Sequence, residues 1–249
     1  MVVLSYGGEK GSLLSFDLPS RELLQEQAGW LAGARARLLR RAGVAHRRSI
    51  LDLGCGYGVV RGELARRGGG TVTGLDHHAR ALRGVPNGVC GRAEQLPFRA
   101  GAFDLVFCQL ALMWMPLEAT VAEIERVTRP GGVVAAIEPD YGGMLEWPEG
   151  AGLKGVWIAA LERAGADPLV GRKLPGALAR AGFDVWVEIT PGVRQPRQGR
   201  FGLLRGLPLT PDEQRRLIEW EGRSGAGFSP WEPLVYLPFV MVVGSRSAG

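Results

Sequence analysis

Asp52, Gly54, Gly56 and Gly58 stand at alternate positions in SILDLGCGYGVV, residues 49–60. A carboxylate that closes an apolar run, followed at once by a tight glycine turn around Cys55, is a pattern that cradles ligands. Side chains there would block a close approach or forbid the dihedrals, and N–H groups at the start of the next helix face a polar ligand group. The dinucleotide fingerprint G-x-G-x-x-G places its third glycine one residue later than Gly54-Cys55-Gly56-Tyr57-Gly58 does, which disfavours a nicotinamide dehydrogenase. A buried Asp52 demands a hydrogen bond or a positive charge. A ligand with an ammonium group suits it; a pyrophosphate does not. Asp76 closes the run TVTGLD, and an acid at that strand end accepts both hydroxyls of a ribose. GRAEQLPF then carries Ala93 and Glu94, which lie beside an adenine if the third strand is adjacent.

Positioning these groups takes alternating strands and helices. Residues 20–43 read as one amphipathic helix, with Leu23, Leu24, Gln27, Leu31, Ala34, Leu38 and Leu39 close to one face, Ser20 as cap and Gly43 as stop. A strand at Ser49–Leu53 leads into the turn and a helix to about Arg67. A second strand ends at Asp76, and a short helix, a brief strand at Val89–Cys90 and a buried strand in FDLVFCQLALM follow. TVAEIERVTR is a helix stopped by Pro130–Gly132, and GVVAAIEP is an apolar strand of the kind buried on both faces. Such alternation predicts an α/β fold with a parallel sheet covered by helices on both sides. Beyond Asp140, VWIAALERAG and LPGALARAG read as helices, FDVWVEIT as an alternating strand and FVMVVGS as the last strand. Thr210, Pro211 and Glu213 form a capping box at the start of another helix.

The segments LDLGCGYG, GLDHH, GRAEQLPF, FDLVFCQLALMWM and EIERVTRPGGVVAAIEP resemble, in that order, the motifs of class I S-adenosylmethionine-dependent methyltransferases, and within them the small-molecule group that includes quinone C-methylating enzymes. The resemblance covers about residues 20–190. It implies a Rossmann-like seven-stranded, mostly parallel sheet of order 3-2-1-4-5-7-6 with the last strand antiparallel. S-adenosyl-L-methionine would be the cofactor and S-adenosyl-L-homocysteine its product. Asp52, Gly54, Cys55, Gly56 and Gly58 would surround its methionine half, Asp76 would bind the ribose, and His77 would lie along the adenine. Ala93 would offer its N–H to the adenine ring with Glu94 beside it, and Gln109 would approach the methionine part. Two departures stand out: Arg92 replaces the family's frequent acid, and Met113 and Trp114 stand where histidines are common, which makes that wall apolar.

A sulfonium methyl is already activated, so alignment and desolvation supply much of the catalysis, and a base is needed only for an acceptor that must lose a proton. The three histidines are His46, in the linker before the first strand, and the pair at the adenine end. Asp140 and Tyr141 are the weak catalytic candidates, with Glu138 and Glu146 in the same region. Met113, Trp114, Tyr141, Met144 and Trp147 are candidates to line an apolar acceptor pocket. The chain reads as a single domain over 1–249, with an N-terminal helical segment (1–45), a substrate-cover insertion (141–180), and a loop and helix (191–225) before the last strand.

The composition is that of an ordinary globular protein, 46% hydrophobic and 22% charged with a net charge of +5. Its uncharged runs at 105–117 and 233–245 fall short of the roughly 18 apolar residues of a membrane span. No secretion signal is read at the amino terminus, and Cys55, Cys90 and Cys108 form neither a disulfide framework nor a zinc site, so a cytoplasmic location and no metal are expected. Lys10, Lys154 and Lys173 are the only lysines; this arginine bias weakens any inference from Arg194, Arg197, Arg200 and Arg205 to phosphate binding. A small-molecule acceptor is therefore expected, with an RNA or protein methyltransferase and a non-enzymatic cofactor-binding module as alternatives.

Overall fold

The computed structural model describes residues 18–190, 199–224 and 233–248. The strands are β1 (Ser49–Leu53), β2 (Thr71–Asp76), β3 (Gly88–Cys90), β4 (Phe103–Gln109), β5 (Thr128–Pro139), β6 (Leu145–Trp147), β7 (Asp184–Ile189), β8 (Leu234–Tyr236) and β9 (Phe239–Ser245). The helices are α1 (Arg21–Trp30), α2 (Ala32–Arg41), α3 (Arg61–Arg67), α4 (Leu117–Val127), α5 (Lys154–Arg163), α6 (Val170–Arg180), α7 (Gly199–Arg205) and α8 (Pro211–Ser224). Seven strands form one sheet in the order β3-β2-β1-β4-β5-β9-β7. With β6 and β8 set aside, that is the 3-2-1-4-5-7-6 order implied by the resemblance. β1 runs parallel to β2 and β4, and β9 antiparallel to β5 and β7.

Strands buried on both faces need an apolar cluster on each side. Ile50, Leu105 and Phe107 pack against Leu38 and Leu39 of α2 and Leu64 of α3. Leu51, Leu53, Val106 and Cys108 pack on the other face against Ile124, Leu161 and Leu174 of α4, α5 and α6. Successive side chains of a strand point to opposite faces, so polar groups at the strand ends inherit one of these two sides.

Several local expectations change. The helix over 20–43 breaks at Leu31 (φ −99°, ψ 3°) into α1 and α2; Gly29 and Gly33 flank the break and weaken helix there. Ser20 caps α1 by accepting from the Leu23 N–H, and Gly43 takes a left-handed φ of 65° after α2. Residues 79–84 form turns instead of a short helix. α4 ends at Val127, before Pro130, where the Thr128 hydroxyl donates to the Ile124 carbonyl at 2.6 Å. The expected capping box forms: Thr210 Oγ1 accepts from the Glu213 N–H and Glu213 Oε2 from the Thr210 N–H. The segment 141–180 divides. α6 lies on the large sheet, with Leu174, Ala177 and Leu178 buried beside Phe183 and Val242, while β6 leaves the sheet to pair with β8. No helix among the described residues is long and apolar enough to cross a membrane.

Candidate active site

At the carboxyl ends of β1 and β4, alternation sends Asp52 and Gln109 to the α2–α3 side, the side of Ile50 and Phe107. Asp52 is 4% exposed. No described residue donates a hydrogen bond to it, and its buried Oδ2 has no partner. Burial, with the Asp76 carboxylate nearby, raises its pKa to about 7; Arg61 and Arg35 oppose that rise. A naked buried carboxylate is costly, and a cationic ligand group would relieve it.

The glycine turn works mainly by leaving side chains out. Gly54, Gly56 and Gly58 have φ of 73°, 51° and 69°, the left-handed region that favours glycine. A Cβ at Gly54 would fall 2.4 Å from Ala111 Cβ and 3.1 Å from Met115 Cε. The N–H groups of Gly54 and Cys55 both donate to the Leu75 carbonyl, and that of Gly58 to the Cys55 carbonyl. The Gly56 N–H donates to Asp76 Oδ2 at 2.8 Å. These four amides are thus spent inside the protein. Leu18 and Leu24 lie 3.5 and 3.8 Å from where a Gly56 Cβ would sit, so the N-terminal segment roofs the turn.

Asp76 is buried at the end of β2. Besides the Gly56 N–H, it accepts from the His78 N–H at 2.9 Å, and the His78 ring Nδ1 lies 3.0 Å from Oδ1. An ionised carboxylate has about four acceptor sites, so room remains for a ligand hydroxyl. The exposed His77 ring stacks on His78 with centroids 3.8 Å apart, and burial together with His78 lowers its pKa. Asp76, His77 and His78 bring potential metal-ligand atoms within 4.8 Å of one another. Ala93 is buried with its N–H unpaired among the described residues, and Glu94 pairs with Arg92. Cys55 is buried, and burial pushes its thiol up, so it acts as a small apolar filler.

Gln109 has a partner the sequence did not announce. Arg35 of α2, 6% exposed, donates from Nη1 to Gln109 Oε1 at 3.1 Å and to the Ala28 carbonyl of α1 at 2.8 Å. Its Nε donates to Glu63 Oε2 at 2.7 Å. The available signal was an arginine within the apolar stripe formed by Ala28, Leu31 and Leu39.

On the opposite side of the sheet lie the acceptor candidates. Met113, Tyr141 and Met144 are buried in one cluster with Trp157, the Tyr141 and Trp157 rings 5.3 Å apart. The backbone gathers them: the Asp167 N–H donates to the Met113 carbonyl and the Tyr141 N–H to that of Pro168. Trp114 packs against the same cluster. Trp147 does not join them and is 71% exposed on β6. The Tyr141 hydroxyl has no hydrogen bond among the described residues, and burial pushes its pKa up, so it stays a protonated donor. Asp140 is held in a two-point pair with Arg172, at 2.8 and 2.9 Å, which occupies it as a base. Glu146 accepts from the N–H groups of Gly150 and Gly152 and organises its own loop. Glu138, fully buried, accepts from the N–H groups of Ala111 and Leu112 at 3.0 Å each. Its other oxygen is unpaired, and burial raises its pKa to about 7. Thus Glu138 fastens the loop whose Ala111 and Met115 pack on Gly54.

Residues 51–136 match the methyltransferase domain family. An uncharacterised methyltransferase of Synechocystis is 36% identical over 146 residues, 55% of this chain and 66% of that protein. The malonyl-[acyl-carrier protein] O-methyltransferase of Salmonella typhimurium is 34% identical over 126 residues, 48% of this chain and 47% of that one. The chain thus spans less than two thirds of the length of these relatives. Among solved structures, the YcgJ protein of Bacillus subtilis superposes with a TM-score of 0.62 at 17% identity, covering 88% of this chain and 100% of that one. The geranyl diphosphate C-methyltransferase of Streptomyces coelicolor, solved with S-adenosyl-L-homocysteine, gives 0.56 at 19% identity, covering 91% and 83%. Sheet order, glycine turn and sequence relatives agree: residues 51–136 form a methyltransferase domain, and the chain has the fold of the class I S-adenosylmethionine-dependent methyltransferases.

Proposed function

We propose that the chain binds S-adenosylmethionine and transfers its methyl group to a small apolar or aromatic acceptor. One observation carries the cofactor part: Asp52 is a buried carboxylate with no hydrogen-bond donor among the described residues, beside a turn that admits no side chain at Gly54. Its need for a positive partner fits the ammonium and sulfonium charges of the cofactor's methionine half. Asp76 would take the ribose hydroxyls, Ala93 and His77 the adenine, and Gln109 the methionine part. Bound there, the cofactor would supply an activated methyl for in-line displacement. The protein's part is to align the acceptor and keep water away, because charge disperses as the sulfonium is neutralised.

Met113, Tyr141, Met144 and Trp157 support an apolar acceptor, with the Tyr141 hydroxyl as a polar handle. The segment 141–169, with α5, would form its cover within a single domain. Of the arginines behind the nucleic-acid alternative, Arg194, Arg197 and the Arg200 side chain lie outside the described residues, and Arg205 pairs with Glu221. Three free cysteines are compatible with a cytoplasmic location.

The test is calorimetry with S-adenosylmethionine, then transfer of labelled methyl into a cell extract with and without nuclease or protease. Label in small extractable molecules is expected. Nuclease- or protease-sensitive label overturns the small-molecule reading, and tight binding without transfer favours a binding module.

A further inference from the structure

We infer that Arg35 is a positioning residue that fixes the polarity of the Gln109 amide, so that Gln109 recognises the α-carboxylate of the bound methionyl group through its N–H donors. This rests on the cofactor reading above. Arginine has donors and no acceptor. The 3.1 Å contact from Arg35 Nη1 therefore demands the oxygen of Gln109, and no other orientation of the amide satisfies it. Gln109 Nε2 then points away from Arg35 with no acceptor among the described residues, at the mouth of β4 on the side of Asp52.

The guanidinium itself has little freedom. It is 6% exposed, its Nε and Nη2 both grip Glu63 Oε2 at 2.7 Å, and its Nη1 also holds the Ala28 carbonyl. Glu63 sits on α3, directly after the glycine turn, and Arg67 holds its other oxygen. The planar fork thus links α1, α3 and the end of β4, a geometry a lysine cannot copy. Asp52 and Gln109 divide the amino-acid end of the ligand by charge: the acid for the ammonium group, the amide for the carboxylate. Through the Ala28 carbonyl, Arg35 also holds α1, whose Leu24 roofs Gly56.

The experiment compares the affinities of S-adenosylhomocysteine and 5′-methylthioadenosine, which lacks the amino-acid end, for wild type, Gln109→Glu and Arg35→Met. Gln109→Glu keeps an oxygen for Arg35 but sets a carboxylate against the ligand's own. Loss of one hydrogen bond to a charged group corresponds to about 10- to 100-fold. That loss is expected for S-adenosylhomocysteine, with 5′-methylthioadenosine unchanged. Arg35→Met frees the amide to turn and should shrink the preference for S-adenosylhomocysteine by about tenfold. If both ligands weaken equally in Gln109→Glu, or neither does, the assignment of Gln109 is overturned. If Arg35→Met weakens both alike, the role of Arg35 is general support of the fold and the inference fails there. Failure of the wild type to bind either ligand overturns the cofactor reading itself.

Discussion

Asp52 and Glu138 are buried acids whose pKa values are both raised to about 7. Each binds a proton more tightly in the folded chain than in the unfolded one. Their contribution to stability is therefore full below about pH 4 and is lost as pH rises through about 7. Asp52→Asn should raise the melting temperature of the ligand-free protein at pH 8, by about 2–4 °C per kcal/mol, with little effect at pH 4. The same variant should weaken S-adenosylmethionine binding by about 10- to 100-fold, so a stability gain and a binding loss appear together in thermal shift and calorimetry. Wild-type affinity should fall about tenfold per pH unit below 7, because the ligand's positive charge needs the ionised acid; a flat profile from pH 5 to 8 removes Asp52 from the site. This residue was legible in sequence because a carboxylate two positions before a glycine turn has few structural uses. Arg35 was not, since its partners Glu63 and Gln109 lie 28 and 74 residues away. Asp140 failed as a free base for the same reason: Arg172 claims it from 32 residues away.

The elements at the two ends of the sheet do different work. At the carboxyl end, the loop after β4 is pressed onto the glycine turn and held by Glu138. Gly54→Ala brings a methyl to 2.4 Å from Ala111 Cβ at a φ of 73°. It should abolish detectable binding of S-adenosylhomocysteine and lower the melting temperature, measured by calorimetry and circular dichroism. At the amino end, the fully buried Asp104 accepts from the Arg48 and Ser49 N–H groups at 2.8 and 3.0 Å and pairs with Arg129. Asp104→Ala strands two amides and should cost about 2 kcal/mol while leaving ligand affinity as it was. A change in that affinity would mean that the two ends of the sheet are coupled.

Across the whole molecule, the roof of the site is assembled from distant segments. α1 covers the turn, and α7 touches α1 where Leu23 lies 3.6 Å from the Cβ position of Gly202. Ligand at about 100 times its Kd should stabilise the fold by about 2.7 kcal/mol. Hydrogen exchange should then slow in α1 and residues 110–115, while the edge strand β7, with Val187 and Ile189 exposed, exchanges as before. Slowing confined to the sheet, with α1 unchanged, would show that α1 does not close over the ligand.

Residue order by itself determined the alternation of strands and helices, the parallel sheet and the glycine turn. The turn and each separate element are encoded within about ten residues by hydrophobic period and backbone sterics, and the parallel sheet by the order in which the elements alternate. Only the tertiary structure decided which acids are free and which are paired. It also broke the first helix at Leu31, laid α6 on the sheet and joined β6 to β8 from residues 145–147 and 234–236. Those outcomes depend on long-range pairing and on which side chains the low-dielectric core leaves unpartnered, and no local periodicity carries that information.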